Sequence, residues 1–327
     1  MSETGTAATP PASPSATSME APRRRSPFAQ FFARLIREKP LGAVSGGVVL
    51  VLIVVSIFAT QLAPYDIHEV NAKNRLKGPS AEHLLGTDHV GRDFFSRVLL
   101  GARLSLFVGL SATALNVLVA LLIGGVSGYL GGKLDLMMQR FVDAWMAFPG
   151  LLLLLTIMSI VGRGLPQVII VLGVSGGIVG SRVVRGAVIG VKENIYFQAA
   201  EAIGTRTGST LLRHVIPNIA PILVIIFSIN IGGVIISEAS LSFLGFGLPI
   251  EIPSWGGLLS REGRRYMEQA PHLALWPGLC LTVTVYAMNN FGDAARDLLD
   301  PRLRGGAGTN YGGFRGNRRA AGAPAGR

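Results

Sequence analysis

Six stretches of the chain run without Asp, Glu, Lys or Arg at about the length that a helix needs to cross a bilayer. They are residues 41–63, 104–130, 144–162, 164–181, 215–237 and 269–292. A hydrocarbon core takes about 20 apolar residues in a helix, and irregular backbone cannot face lipid. The pattern therefore predicts six transmembrane helices and an all-α integral membrane protein. The fourth run is short and glycine-rich, and a single Arg163 separates it from the third. Past the fifth run, Glu238 interrupts an apolar stretch that continues to Ile250. A cleaved signal peptide does not explain the first run, which is too long and has forty residues before it.

Composition agrees with a membrane location. Hydrophobic residues make up 49% of the 327, charged residues only 15%, and the mean hydropathy is +0.47. A soluble domain carries about 25% charged residues. The one cysteine, Cys280, excludes a disulfide framework and a cysteine-based zinc site. The net charge of +11 takes its meaning from its placement. With both termini inside and six alternating spans, the inner segments hold twenty Lys and Arg against ten outside. That excess follows the positive-inside rule and predicts cytoplasmic termini.

This topology sets the organisation. Residues 1–40 form a cytoplasmic tail, too rich in Ala, Pro, Ser and Thr to pack before about residue 22. Arg23, Arg24, Arg25, Arg34, Arg37 and Lys39 follow, a juxtamembrane cluster suited to anionic lipid. Then come a first span at 41–63, an extracytoplasmic loop at 64–103, a transmembrane core at 104–300 and a cytoplasmic tail at 301–327. That last tail, with Tyr311 and Phe314 among Gly, Ala and Arg, has the look of an RNA-binding segment. A solvated tail is the plainer reading, and no nucleic-acid partner is expected. Trp145, Trp255 and Trp276 are expected at the membrane interface. Glycines 173, 176, 177, 180, 232 and 233 are expected to let helices approach closely.

Enzyme chemistry is poorly served. No G-x-x-x-x-G-K-[ST] phosphate loop occurs, and the five histidines include no pair four apart. His83, Asp88, His89 and Asp93 crowd the outer loop, but turn-forming roles are expected there and no metal site is assigned. Asp88, Arg92 and Asp93, set among Gly86, Gly91 and Gly101, read as an ion-pair knot holding the loop. Two readings of Glu238 stand: an intramembrane acid in a passage or helix contact, or an interfacial acid capping a helix that restarts at Ala239. The inner segment 182–216 reads as a helix, a turn at Gly204 and a second helix, with Pro217 opening the next span. Such a projection suits a groove on a partner.

Gln198-Ala199-Ala200 followed by Gly204, with Arg213 and Pro217 after it, resembles the E-A-A-x-x-x-G loop of binding-protein-dependent ABC importer permeases. Gln198 stands where that pattern has an acid. A second set of motifs resembles the C-type permease subunit of the dipeptide, oligopeptide and nickel branch. It comprises His83 to Asp93 with Ser96-Arg97, Asp135 to Arg140 with Asp143 and Phe148-Pro149, Glu238 to Gly247, Pro253 to Gly256, and Asp293 to Arg302. The resemblance runs from about residue 30 to 304. It implies the type I ABC importer permease fold in the bacterial inner membrane and a second, homologous permease. It also implies an extracytoplasmic binding protein, and two ATPase subunits that carry ATP and Mg and dock on the loop 196–213. This chain then needs no cofactor and does no covalent chemistry. Peptides are the expected solute, with nickel or another small solute as the alternative within the family. A membrane-embedded enzyme, or a channel or secondary transporter, is the alternative from another class.

Overall fold

An amphipathic helix precedes the first apolar run, in a stretch expected only to be a basic flank. In the computed structural model, which describes residues 27–194, 211–249 and 251–299, this helix α1 spans Pro27–Glu38. It buries Leu35 against Ala294 and Leu298 and leaves Ile36 exposed. Pro40 then starts α2, Pro40–Ile57, at a position where a missing N–H costs no helical hydrogen bond.

The second apolar run lies inside a much longer helix, α3, Phe94–Leu130. It begins before residue 104 because Asp93 caps it, accepting the Ser96 N–H at 2.8 Å. The expected third span at 144–162 is not one straight helix. The chain forms α4, Gly132–Met146, then α5, Gly150–Val161, bent by 92° from each other. Pro149, with ψ 120, leaves helical geometry between them, and a residue before proline is disfavoured in the α region. The 12 residues of α5 rise only about 18 Å, short of a hydrocarbon core of about 30 Å.

Three long helices complete the chain: α6, Leu165–Lys192, α7, Ile216–Phe243, and α8, His272–Leu299. Among the described residues, α2, α3, α6 and α7 are long and apolar enough to cross a membrane, and the α4–α5 pair makes a fifth if it is one broken span. The sixth apolar run falls on α8, where His272, Asn289 and Asn290 dilute the apolar character. The described residues hold no strand, only an isolated bridge between Thr87 and Asp93.

Small residues set how closely these helices approach. Gly173 and Gly177 of α6 face Leu115 and Val119 of α3, while Gly124 of α3 meets the α6 backbone at Ser181. Gly42 of α2 faces Ala294 of α8, and Gly232 of α7 faces Asn289. Gly180 and Gly176 border Asn116, whereas Gly233 has open space around it, so the close-packing expectation fails at that position. Contacts also sort the connections into two groups. At one end, Lys39 pairs with Asp297 at 2.6 Å, Arg185 with Asp135 at 2.5 Å, and Lys192 Nζ donates to the Tyr129 carbonyl. At the other end, segments 64–93 and 251–263 meet, and Arg163 approaches Gly245.

Candidate functional site

Gly86 and Gly91 both adopt left-handed backbone, at φ +80 and +84. A Cβ on Gly91 would collide with the Asn71 carbonyl, and one on Gly86 would lie 2.6 Å from the Lys77 carbonyl. The turn between them folds Asp88 inward until it is fully buried. Its Oδ1 accepts the Val90 and Arg92 amides, each at 2.9 Å. Its Oδ2 accepts Arg92 Nε at 2.6 Å and an Arg97 guanidinium N–H at 2.8 Å. Arg97 also reaches Glu262 at 2.9 Å, with Arg92 3.6 Å from the same oxygen. Two guanidinium groups thus lie between two buried carboxylates.

The expected knot is half right. Asp88 and Arg92 pair, but Asp93 leaves them to cap α3 and to meet His83 Nδ1 at 2.9 Å. A carboxylate at the cap position points at the helix amides, away from Arg92. Glu262 is the partner that sequence reading missed; it arrives from a helical turn at Leu259–Gly263, far away in sequence, and only its charge marked it beforehand. Burial works to raise the Asp88 pKa, but the Arg92 amide, the Arg97 charge and the Val90 amide outweigh it and hold this carboxyl below the usual range. At Glu262 burial wins over the Arg97 charge and lifts the pKa.

The outer histidines do not gather into one cluster. His83 lies with Asp93 and Asn74, whereas His89 stacks on Tyr266 with ring centroids 5.5 Å apart. Burial lowers the His89 pKa. Asp88, His89 and Glu262 offer ligand atoms within 4.8 Å of one another. Arg92 and Arg97 hold Asp88 Oδ2 and Glu262 Oε1 and put positive charge between these carboxylates, while Glu262 Oε2 and His89 Nδ1 have no hydrogen-bond partner.

The segment carrying Glu262 is clamped by a tryptophan. Trp255 is 1% exposed, its indole N–H donating to the Val98 carbonyl at 3.0 Å and its ring lying against Gly101. The interfacial anchoring expected of Trp255 is therefore corrected: glycines at 101 and 256 let α3 and α7 close over it.

Glu238 sits inside an unbroken α7 and is fully buried. Helix does not restart at Ala239, so the capping role is corrected as well. Ser242 Oγ donates to Glu238 Oε1 at 2.8 Å, and the hydroxyls of Ser105 and Ser254 lie alongside while Oε2 has no close hydrogen-bond partner. The acid therefore joins α7 to α3 and to the Trp255 segment, as a helix contact.

Of the inner loop, Gln198, Ala199, Ala200 and Gly204 lie outside the described residues. Arg213 is exposed, in a wide turn at Leu211–Val215, and Pro217 lies in the first turn of α7. Val191 and Leu211, at the two bases of the loop, pack into one apolar cluster with Val188 and Ile219. Beside them α4 is tied to α6, because Arg185 grips Asp135, which also receives Ser127 Oγ, and Arg182 grips Asp143. Both arginines were visible in the sequence only as inner charge.

Comparison with known proteins places these features. Residues 120–305 match the family described as binding-protein-dependent transport system inner membrane component. Residues 26–79 match the N-terminal TM domain of oligopeptide transport permease C. The glutathione transport system permease protein GsiD of Pectobacterium atrosepticum is 37% identical over 281 residues, covering 86% of this chain and 93% of that one. The proteins of the same name from Escherichia coli and Shigella sonnei are each 39% identical over 282 residues, covering 86% and 92%.

Proposed function

The chain belongs to the family of binding-protein-dependent transport system inner membrane components, and on that membership we propose that it is one of two permeases forming the path of an ATP-driven importer for peptide-like solutes. It is a multi-pass inner-membrane transport permease, not an enzyme by family. The observation that carries the proposal is the match over 120–305, which takes in the inner loop and the helices on either side of it.

Six crossings with cytoplasmic termini fit this reading. α3 ends beside α6's C-terminal Lys192, and α6 begins at the opposite end, where Arg163 nears Gly245. These positions support the α4–α5 pair as a broken crossing between them. α8 runs from the Gly86 and Phe94 neighbourhood to the Lys39 end, which supports counting it as the sixth crossing. The basic excess then assigns the Lys39 end to the cytoplasm.

Two ATP-binding subunits, holding ATP and Mg, dock on the loop at 196–213, and an extracytoplasmic binding protein delivers solute to the outer end. Closing and separating the ATPases shifts the permease pair between outward-open and inward-open states. A peptide-like solute is supported by the relatives' name, since glutathione is itself a tripeptide. Purifying the tagged chain from membranes and assaying ATP-driven uptake in vesicles tests the proposal. Two ATPase copies per permease pair and ATP-dependent peptide uptake are expected. Uptake without any ATPase, driven by an ion gradient, rejects it.

A further inference from the structure

Between the end of α2 and the first half of α3 lies an open groove of about 670 Å³. Ile53 and Ile57 of α2 face Leu104 and Phe107 of α3 across it, over a floor made by the buried Leu106. Its polar lining is Ser56 and a single ion, Arg103. No carboxylate lines the groove. Arg103 is exposed, and among the described residues it makes no ion pair and no hydrogen bond.

Depth and charge together select an occupant. The charge-free run of α3 starts at residue 104, so Arg103 stands at its edge. The first apolar run ends at Ala63, about 10 Å along a helix from Ser56. Both elements therefore bring the charged rim of the groove close to the boundary between hydrocarbon and headgroups, where a long basic side chain reaches outward to the polar layer. A guanidinium at that level needs an anion, and the membrane supplies phosphate there. A phosphodiester also fits the guanidinium fork through two parallel N–H···O bonds. An apolar partner helix leaves Arg103 unpaired, and a helix bringing an acid into the bilayer carries the cost of that acid. A zwitterionic headgroup sets an ammonium near Arg103 with no carboxylate in the lining to hold it. By contrast, an apolar cleft of about 320 Å³ between α5 and α6, beside Trp145, has no charged lining residue, so nothing there selects what fills it.

We propose that the groove between α2 and α3 holds one anionic phospholipid, its phosphate on the Arg103 guanidinium and one acyl chain laid along Ile53, Ile57, Leu104 and Phe107. The lipid then acts as a strap joining α2 to α3. This site depends neither on the importer reading nor on which end of the molecule is cytoplasmic.

The test uses the full-length chain in nanodiscs, purified alone and with its co-purifying subunits. The probe is phosphatidylglycerol with a photoactivatable diazirine on one acyl chain. Cross-links should concentrate in peptides containing residues 53–57 and 100–110. Arg103→Gln should cut them about fivefold or more, the scale of one basic residue's attraction for anionic lipid, while Arg103→Lys keeps part of them. Cross-links on the exposed side of α7 around Val224 should not change in either variant. Phosphatidylcholine carrying the same acyl chain should label the groove of the wild type no more than it labels α7, and soluble glycerol 3-phosphate should not displace the phosphatidylglycerol probe. Wild-type labelling of the groove in Arg103→Gln, or equal labelling by both lipids, overturns the anionic-lipid site. Displacement by glycerol 3-phosphate overturns it in favour of a free phosphate. Groove labelling that is present in the chain alone and lost with its subunits bound overturns it in favour of a protein partner.

Discussion

Gly91 stands at φ +84 against the Asn71 carbonyl, whereas Gly131 stands at φ +64 with open space around it. Left-handed backbone alone costs a side chain about 1–2 kcal/mol, and a steric clash adds about 1–3 kcal/mol. Gly91→Ala should therefore lower thermal stability in detergent clearly more than Gly131→Ala, and it should expose 64–93 to protease. Equal, small shifts for both would mean that the outer turn is not clamped. Glu238 makes the second residue-scale case. Glu238→Gln keeps the shape and one acceptor for Ser242, while Glu238→Ala leaves a cavity, and cavities from large-to-small changes cost about 2–5 kcal/mol. Assembly with a second permease should survive Gln and fall with Ala. Normal assembly and transport in both would reject the helix-contact role. Glycine spacing around Asp88 was readable along the chain, but Glu262 was not, since its pairing with Arg97 joins the first turn of α3 to a helical turn far away in sequence.

Two elements behaved differently from their apolar runs. The run at 144–162 promised a span, yet Pro149 splits it into part of amphipathic α4 and a short α5. Hydropathy averages over a window and is blind to a break inside it, although the proline was in plain view. Conversely, α3 overshoots its run because a polar cap and a buried ion pair support its first turns. For the inner loop, the expected element is a docking helix ended at Gly204. Asp there would add a side chain at the turn and a charge at a protein interface, a buried unpaired charge costing several kcal/mol. Gly204→Asp should leave the permease inserted but lose bound ATPase or uncouple hydrolysis from uptake. Wild-type values for both, at equal amounts of protein in the membrane, would show that this loop is not the coupling element.

Across the whole molecule, the contacts divide the connections between two ends, with 64–93 and 251–263 together at one and Lys39, Asp135, Lys192 and Asp297 at the other. Ser80 belongs to the first group and is exposed. In a Cys280→Ser background, a cysteine at Ser80 should react with a membrane-impermeant reagent in intact cells, and one at Ser209 only after the membrane is opened. The reverse pattern would overturn the orientation and, with it, docking of ATPases on the inner loop.

The amino-acid sequence by itself determined the membrane class, the apolar runs, the basic side and the motifs that mark the family, because each of these is a local or additive property of residue types. Only the tertiary structure decided what the polar residues within that frame do. It set Asp93 at a cap instead of in the knot, brought Glu262 to Arg97, buried Trp255 and Glu238, and set Arg103 beside an apolar groove. Those outcomes depend on which helix faces meet, and in an apolar medium small residues and a few polar pairs decide that, since apolar surface is common to every helix.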